Sequence, residues 1–230
     1  MEHKWWGQSP SSIGAFETCP RKFKAQYLTK ETKWVETEAN KYGNRMHTAL
    51  ENAIQYNTPL PDEFSELSTP IKAVKQWPGR RFAELKLAVD AEFAPCDWRE
   101  RHLGCKIDLS VFYKDWVTVL DWKSNGKIPD DRYFSTLQLD INAAVLFAHH
   151  DSVNNIKAAY YYTRFDMAKP QGDEAVYKRE DYSELKGGLN DRIIKIKAAF
   201  ESDIFPARQN GLCRGHCDVM SCEFNGKNNG

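Results

Sequence analysis

This sequence of 230 residues lacks net charge: lysine and arginine together number 32, and aspartate and glutamate also number 32. A chain-wide attraction for polyanions is thereby excluded, and any affinity for nucleic acid has to come from a local basic surface. Long apolar runs are absent as well. Nowhere do roughly 18 uncharged apolar residues follow one another, and "MEHKWWGQSPSS" has no apolar signal-peptide core. The expectation is a cytoplasmic protein with no membrane contact. There is no internal repeat, no linker-like stretch and no Gly-x-x-x-x-Gly-Lys loop. A single domain is expected over residues 1–222, with a disordered tail at 223–230, and any strand unwinding would need a partner. Cysteine is scarce, at six residues. In a reducing compartment these read as metal ligands or buried thiols rather than disulfides.

What is present is a clear alternation of periodicities. Residues 11–28, "SSIGAFETCPRKFKAQYL", carry Ile13, Phe16, Phe23 and Tyr27 at helical spacing, interrupted by Cys19-Pro20. Ser9 is a candidate N-cap with Pro10 at the first helical position, and Trp5 and Trp6 are expected to pack against that start. A second helix is predicted over 41–56 from the stripe Tyr42, Met46, Ala49, Leu50, Ala53 and Ile54. Residues 57–70 are loop-like, with a short helix at 71–77. Strands are predicted at 82–93, 103–113 and 115–124, the last two forming a hairpin. A helix follows at 132–150 (Phe134, Leu137, Ile141, Ala144, Val145, Ala148), then a tyrosine-rich strand at 156–165. Asp181 is expected to cap a final helix bearing Leu185, Leu189, Ile193, Ile196 and Phe200. This order is that of one α/β domain with helical additions.

The sharpest chemical signal is Asp108 on one strand and Asp121-Trp122-Lys123 on the next. In a strand Asp121 and Lys123 share a face and Trp122 takes the other. If the hairpin pairs as predicted, Asp108 lies beside Asp121. Two carboxylates and one ammonium suit a hard divalent cation with a charged catalyst, able to activate water against a phosphodiester. Alone, the Asp–Lys pair is more often a solvent-facing ion pair of little worth. Further polar residues stand at apolar-face positions. His47 flanks the stripe of the second helix, and Gln138, with Asn142 one turn beyond it, sits inside the stripe of the helix at 132–150. Each needs a partner if buried. Glu84 sits in the middle of the first strand.

With these motifs in order, the sequence resembles the PD-(D/E)XK nuclease superfamily. It is most similar to the branch containing the RecB and AddB nuclease domains and the CRISPR-associated iron–sulfur exonucleases. The resemblance rests on "GNRMHTALE", "GCKIDLSV", "VLDWKS", "LQLDINAAV" and the opening helix, and it spans 9–222. It implies a restriction-endonuclease-like core: a mixed central sheet flanked by helices, with an N-terminal helical addition and a cysteine-rich C-terminal tail. It implies that His47, Asp108, Asp121 and the Trp122 main-chain carbonyl bind Mg²⁺ or Mn²⁺. Lys123 would position the attacking water or stabilise the transition state, and Gln138 would orient Lys123 or the DNA. Ile107 replaces the family's proline, and Asn142 stands where a tyrosine is usual. The implied activity is a DNA nuclease, as an exonuclease in recombination, repair or phage DNA processing, with a helicase or recombination protein as partner. A non-catalytic DNA-binding module and an endonuclease are the alternatives. Arg21, Lys22, Lys24, Arg80, Arg81 and Lys127 are candidates for tracking phosphates.

Cys213, Cys217 and Cys222 cluster near the end of the chain. With a fourth ligand they suit a four-iron, four-sulfur cluster or zinc, and His216 leaves a Cys₃His zinc set open. The resemblance adds Cys19 as the fourth ligand, so that 9–28 and 205–222 would form a clasp around an iron–sulfur cluster. Pro20 would then break the helix so that Cys19 can turn toward the tail. Cys96 and Cys105 read as ordinary small residues.

Overall fold

A computed structural model describes residues 6–32, 35–126, 135–165 and 174–228. Trp5, Lys127, Phe134 and the expected helix start at 132 lie outside these residues. The chain opens with helix α1 (Pro10–Thr18), whose N-cap Ser9 exchanges side-chain hydrogen bonds with Ser12 across the first turn, with Pro10 at the first helical position. Cys19 then leaves helical geometry, at φ −164° and ψ 110°, and helix α2 (Pro20–Phe23) restarts behind it and runs into a π-helical turn at Lys24–Leu28. Pro20 explains the break: it has no N–H to continue α1, and it disfavours helical torsions in the residue before it.

Helix α3 (Glu38–Gln55) begins three residues earlier than its apolar stripe predicts, because Thr37 and Asn40 cap it reciprocally. The segment read as a loop holds a 3₁₀ turn (Asp62–Leu67) and the start of α4 (Ser68–Gln76). Three strands follow: β1 (Arg80–Val89), β2 (Leu103–Tyr113) and β3 (Trp116–Lys123). Then come α5 (Leu137–His149), β4 (Asn155–Tyr162), β5 (Ala175–Lys178) and α6 (Tyr182–Ser202). The strands form one mixed sheet in the order β1-β2-β3-β4-β5, antiparallel except for the parallel pair β3–β4. β4 follows α5, a helical crossover of the kind parallel neighbours require.

Helices cover both faces. Residues of α1, α5 and α6 (Ile13, Ile141, Leu146, Ile193) bury one face against Val117, Val119, Ile156 and Ala158. Residues of α3 and α4 (Met46, Leu50, Ile71, Val74) bury the other against Leu120, Trp122 and Ala159. Among the described residues, no helix is long and apolar enough to cross a membrane.

Several expectations are corrected. The first strand ends at Val89 rather than Phe93, where Asp90 starts a turn by accepting from the Glu92 and Ala94 N–H groups. Strand β5 carries only four residues, too few for a readable alternation. The Asp181 side chain makes no cap hydrogen bond to α6. Past residue 222 the described chain continues in contact with the segment before it. Asn225 is buried and donates to the Cys217 and Val219 carbonyls, and a 3₁₀ turn follows at Gly226–Asn228.

Candidate active site

Two strand residues, Asp108 and Asp121, meet where the β2–β3 hairpin opens. Its ladder runs from Tyr113–Trp116 to Leu109–Leu120. One step further the Asp108 side chain takes over, its Oδ2 accepting from the Trp122 N–H at 2.8 Å. Trp122 itself is buried in the α3–α4 core, so Asp121 and Lys123 turn to the α5 face, as strand alternation predicts.

There Lys123 Nζ lies 2.6 Å from Asp121 Oδ2 and donates to Gln138 Oε1 at 2.9 Å, while Gln138 Nε2 donates to Asp121 Oδ1. The three groups close a ring that fixes the ammonium. The Tyr160 ring, 4.8 Å from Lys123 Nζ, backs it, and Thr163 N–H donates to the Lys123 carbonyl at 2.9 Å. Asp121 is 1% exposed. Burial and the adjacent Asp108 carboxylate push it up to about 6, against the opposing Lys123 charge.

On the other side of Asp108 stands α3. His47 Nδ1 lies 3.4 Å from Asp108 Oδ1 and 3.6 Å from Glu84 Oε1. Burial disfavours the imidazolium, but the hydrogen bond and charge of Asp108, with Asp121 behind it, outweigh burial and raise the His47 pKa. His47, Glu84 and Asp108 bring three ligand atoms within 4.8 Å of one another. Two carboxylates and an imidazole are a donor set for Mg²⁺ or Mn²⁺. Asp121 Oδ2 and Glu84 Oε2 are buried with an ammonium beside each but no hydrogen bond, which fits oxygens able to accept a cation.

The structure thus brings Asp108, Asp121, Lys123, Gln138 and His47 together, with His47, Asp108 and Gln138 lining one cleft. It gives Glu84, expected only as an addition, a place in the ligand group that the expected set assigned to Asp121. Asn142 is fully buried one turn beyond Gln138, and among the described residues neither amide atom has a hydrogen-bond partner. It does not line the cleft of about 600 Å³ into which His47, Glu84, Asp108 and Gln138 open.

Glu84 gets there through its backbone. Its φ is +55°, in the left-handed region, and the β1–β2 ladder pairs Ala83 with Leu109 and Leu85 with Ile107 but omits the pair between them. At this point both strands change faces: Ala83 and Leu109 join the α3–α4 core, and Leu85 and Ile107 join the α5–α6 core. A glutamate held in this conformation costs about 1–2 kcal/mol. Replacing Glu84 with glycine is therefore expected to stabilise the metal-free protein by about 1 kcal/mol, read as a higher Tm in a thermal melt, while weakening its binding of Mn²⁺.

The basic residues expected to track phosphates are mostly engaged in holding the fold. Arg21 pairs with Glu31 at 2.7 Å and donates to Ser221, and Lys24 pairs with Asp203 at 2.7 Å. Arg81 donates to the Lys75, Trp77 and Gly79 carbonyls, and Arg80 lies over the Phe82 ring.

Four of the cysteines meet away from this site. Cys19, Cys213, Cys217 and Cys222 all line one small cavity between the α1–α2 junction and the tail. Arg208 N–H donates to Cys19 Sγ at 3.4 Å and Asn210 N–H to Cys213 Sγ at 3.5 Å. No three of these sulfurs lie within 4.8 Å of one another. His216 is exposed and takes no part in the cavity lining. Cys105 is buried in the α5–α6 core, its thiol pushed up to about 12 by burial, as suits an inert core residue.

No curated protein matches the chain. A solved structure titled "Crystal structure of SSO0001" is similar at 10% identity and a TM-score of 0.40, over 97% of this chain and 89% of that one. The family model of the PD-(D/E)XK nuclease superfamily matches residues 8–222. That span holds every residue of the Asp108–Asp121–Lys123 site, and the chain belongs to the PD-(D/E)XK nuclease superfamily.

Proposed function

We propose that the protein is a metal-dependent deoxyribonuclease, acting as an exonuclease on DNA with single-stranded character, in recombination, repair or phage DNA processing. The observation that carries this reading is the fixed Lys123 ammonium, tied to Asp121 and Gln138 beside the ligand group His47, Glu84 and Asp108. Mg²⁺ or Mn²⁺, held by His47, Asp108 and Asp121 with the Trp122 main-chain carbonyl and Glu84 as further ligands, would acidify the attacking water and neutralise phosphate charge. Asp121 and Gln138 aim Lys123 Nζ at the cleft, where it donates to the attacking water or to a phosphate oxygen as charge grows in the transition state. Water adds to phosphorus, the P–O bond to the departing sugar oxygen breaks, and that oxygen leaves with a proton.

The same proposal includes an iron–sulfur cluster, [4Fe–4S], bound by Cys19, Cys213, Cys217 and Cys222. In its support, all four line one cavity, and backbone N–H groups point at two of the sulfurs. Zinc held by the same four sulfurs is the alternative, and the exposed position of His216 counts against a Cys₃His zinc site. A helicase or recombination protein is the expected partner, since this chain carries no nucleotide-binding loop.

The test is digestion of end-labelled linear single- and double-stranded DNA, and of a closed circle, in Mn²⁺ with Asp121→Ala as control. Loss of the linear strands with the circle intact is expected. Cutting of the circle would make the enzyme an endonuclease. Binding without cleavage of any substrate would leave the non-catalytic module as the reading.

A further inference from the structure

Two residues along β1 from Glu84 and two along β2 from Asp108 stand Lys86 and Lys106, directly opposite each other in the ladder. Like charges facing across a strand pair are destabilising, so their presence needs a reason. Lys106 Nζ contacts Glu84 Oε2. Among the described residues Lys86 has no carboxylate partner. Its ammonium lies 4.2 Å from the centroid of the Trp98 ring, over which Arg101 also sits, at 4.4 Å.

Trp98 belongs to the connector between β1 and β2, and this connector is firmly held. Asp90 caps its first turn, Cys96 N–H donates to the Ala88 carbonyl and His102 N–H to that of Val89. Arg101 Nη1 donates to the Trp98 carbonyl at 2.6 Å. The Trp98 ring rests on Gly104, where an added Cβ would lie 2.8 Å from the ring and 2.7 Å from Arg101 Cδ. Trp98, Gly104 and Lys106 line the same cleft as His47, Glu84 and Asp108. β3 has ended by this point, so that half of β2 is flanked instead by Gln8, which bridges to Leu103.

We propose that Lys86, Lys106 and Arg101, mounted on Trp98, form a phosphate-binding track for the nucleic-acid strand next to the scissile bond. This rests on the nuclease reading and deepens it by naming where the flanking strand lies. Two residues of strand advance about 6.5 Å, close to one nucleotide step, so a phosphate at the Glu84–Asp108 centre has its neighbour at the lysine pair. A polyanion there resolves the like-charge opposition, and the Trp98 ring, which lines the cleft, holds Lys86 and Arg101 beside it at little entropic cost.

The test is equilibrium binding of a fluorescent oligothymidylate in EDTA, where nothing is cleaved, as a function of salt. Each phosphate contact on a single strand contributes about 0.7 to the slope of log K against log salt. The double variant Lys86→Gln/Lys106→Gln is expected to lose about 1.4 from that slope, whereas Lys195→Gln, on the exposed side of α6, keeps it. Trp98→Ala should weaken binding and Trp98→Phe, which retains a ring for the cations, should restore it. An unchanged slope in the lysine double variant would overturn the track. Cleavage by wild-type protein in Mn²⁺ reports separately on the nuclease reading: cleavage with an unaltered slope rejects the track alone, and a reduced slope in a protein that never cleaves supports the track and rejects the chemistry.

Discussion

Replacing Lys123 with alanine is expected to reduce Mn²⁺-dependent DNA cleavage by a factor on the order of 10³. The ammonium is the charge that Asp121 and Gln138 hold beside the proposed reacting atoms without itself binding metal. Lys123→Arg should recover little, because a planar guanidinium cannot occupy the point between Asp121 Oδ2 and Gln138 Oε1. The variant also leaves the buried Asp121 without its counter-charge, and breaking such a pair costs about 3–5 kcal/mol. That loss has a sign in pH. Asp121 is already raised to about 6 by burial and Asp108, and without Lys123 it rises further. At pH 5 the carboxyl takes a proton and the orphaned charge disappears. At pH 8 it stays charged or forces proton uptake on folding. Melting of metal-free Lys123→Ala should therefore fall further below wild type at pH 8 than at pH 5. Wild-type cleavage by a folded Lys123→Ala protein would remove Lys123 from the mechanism. A pH-independent difference in Tm would show that Asp121 and Lys123 are not coupled as the geometry indicates.

Replacing Cys19 with serine is expected to abolish the broad visible absorption and iron content of anaerobically purified protein, and to lower its stability by several kcal/mol. The clasp between the chain's beginning and its tail has few other strong ties. Arg21 reaches Ser221, Asn210 Nδ2 donates to the Thr18 carbonyl, and Lys24 and Arg192 form exposed or half-exposed pairs with Asp203 and Glu17. Such pairs contribute at most about 1 kcal/mol each, and the cysteine cavity adds apolar contacts of Ala207, Leu212, Val219 and Phe224, with Phe205 stacked on Phe23 at its edge. If the proposed cluster is the strongest tie in this clasp, losing its fourth ligand loosens the tail. Limited proteolysis should then release the segment after residue 205 in Cys19→Ser and spare it in wild type. Wild-type protein that is colourless and contains zinc would replace the cluster with a zinc centre. Full iron content in Cys19→Ser would exclude Cys19 as a ligand.

Much of the architecture was legible in local pattern. The stripe Met46–Leu50–Ile54 announces α3, the alternation around Asp121-Trp122-Lys123 predicts which side chains share a face, and Pro20 marks where α1 must stop. These readings hold because 3.6-residue and 2-residue periods reflect burial of one face of an element, which neighbouring residues alone encode. Strand β5 was missed because four residues cannot show a period. The early capped start of α3 was missed because Thr37 and Asn40 lie outside its apolar stripe. Arg21, Lys24 and Arg81 misled because a charge in sequence does not reveal its partner.

By itself the sequence determined the order of elements apart from β5, the family to which the chain belongs, and the placement of Asp121 and Lys123 on a common face two residues apart. Tertiary structure alone decided the rest. It brought Cys19 beside Cys213, Cys217 and Cys222 across most of the chain, and seated Gln138 between Lys123 and Asp121. It turned Glu84 to a φ of +55° so that its carboxylate joins His47 and Asp108. The reason is physical. A helix or strand is selected by interactions a few residues long, whereas a strained torsion at Glu84 persists only where surrounding packing over-determines it. A cavity shared by distant cysteines likewise exists only once the layers between them have folded.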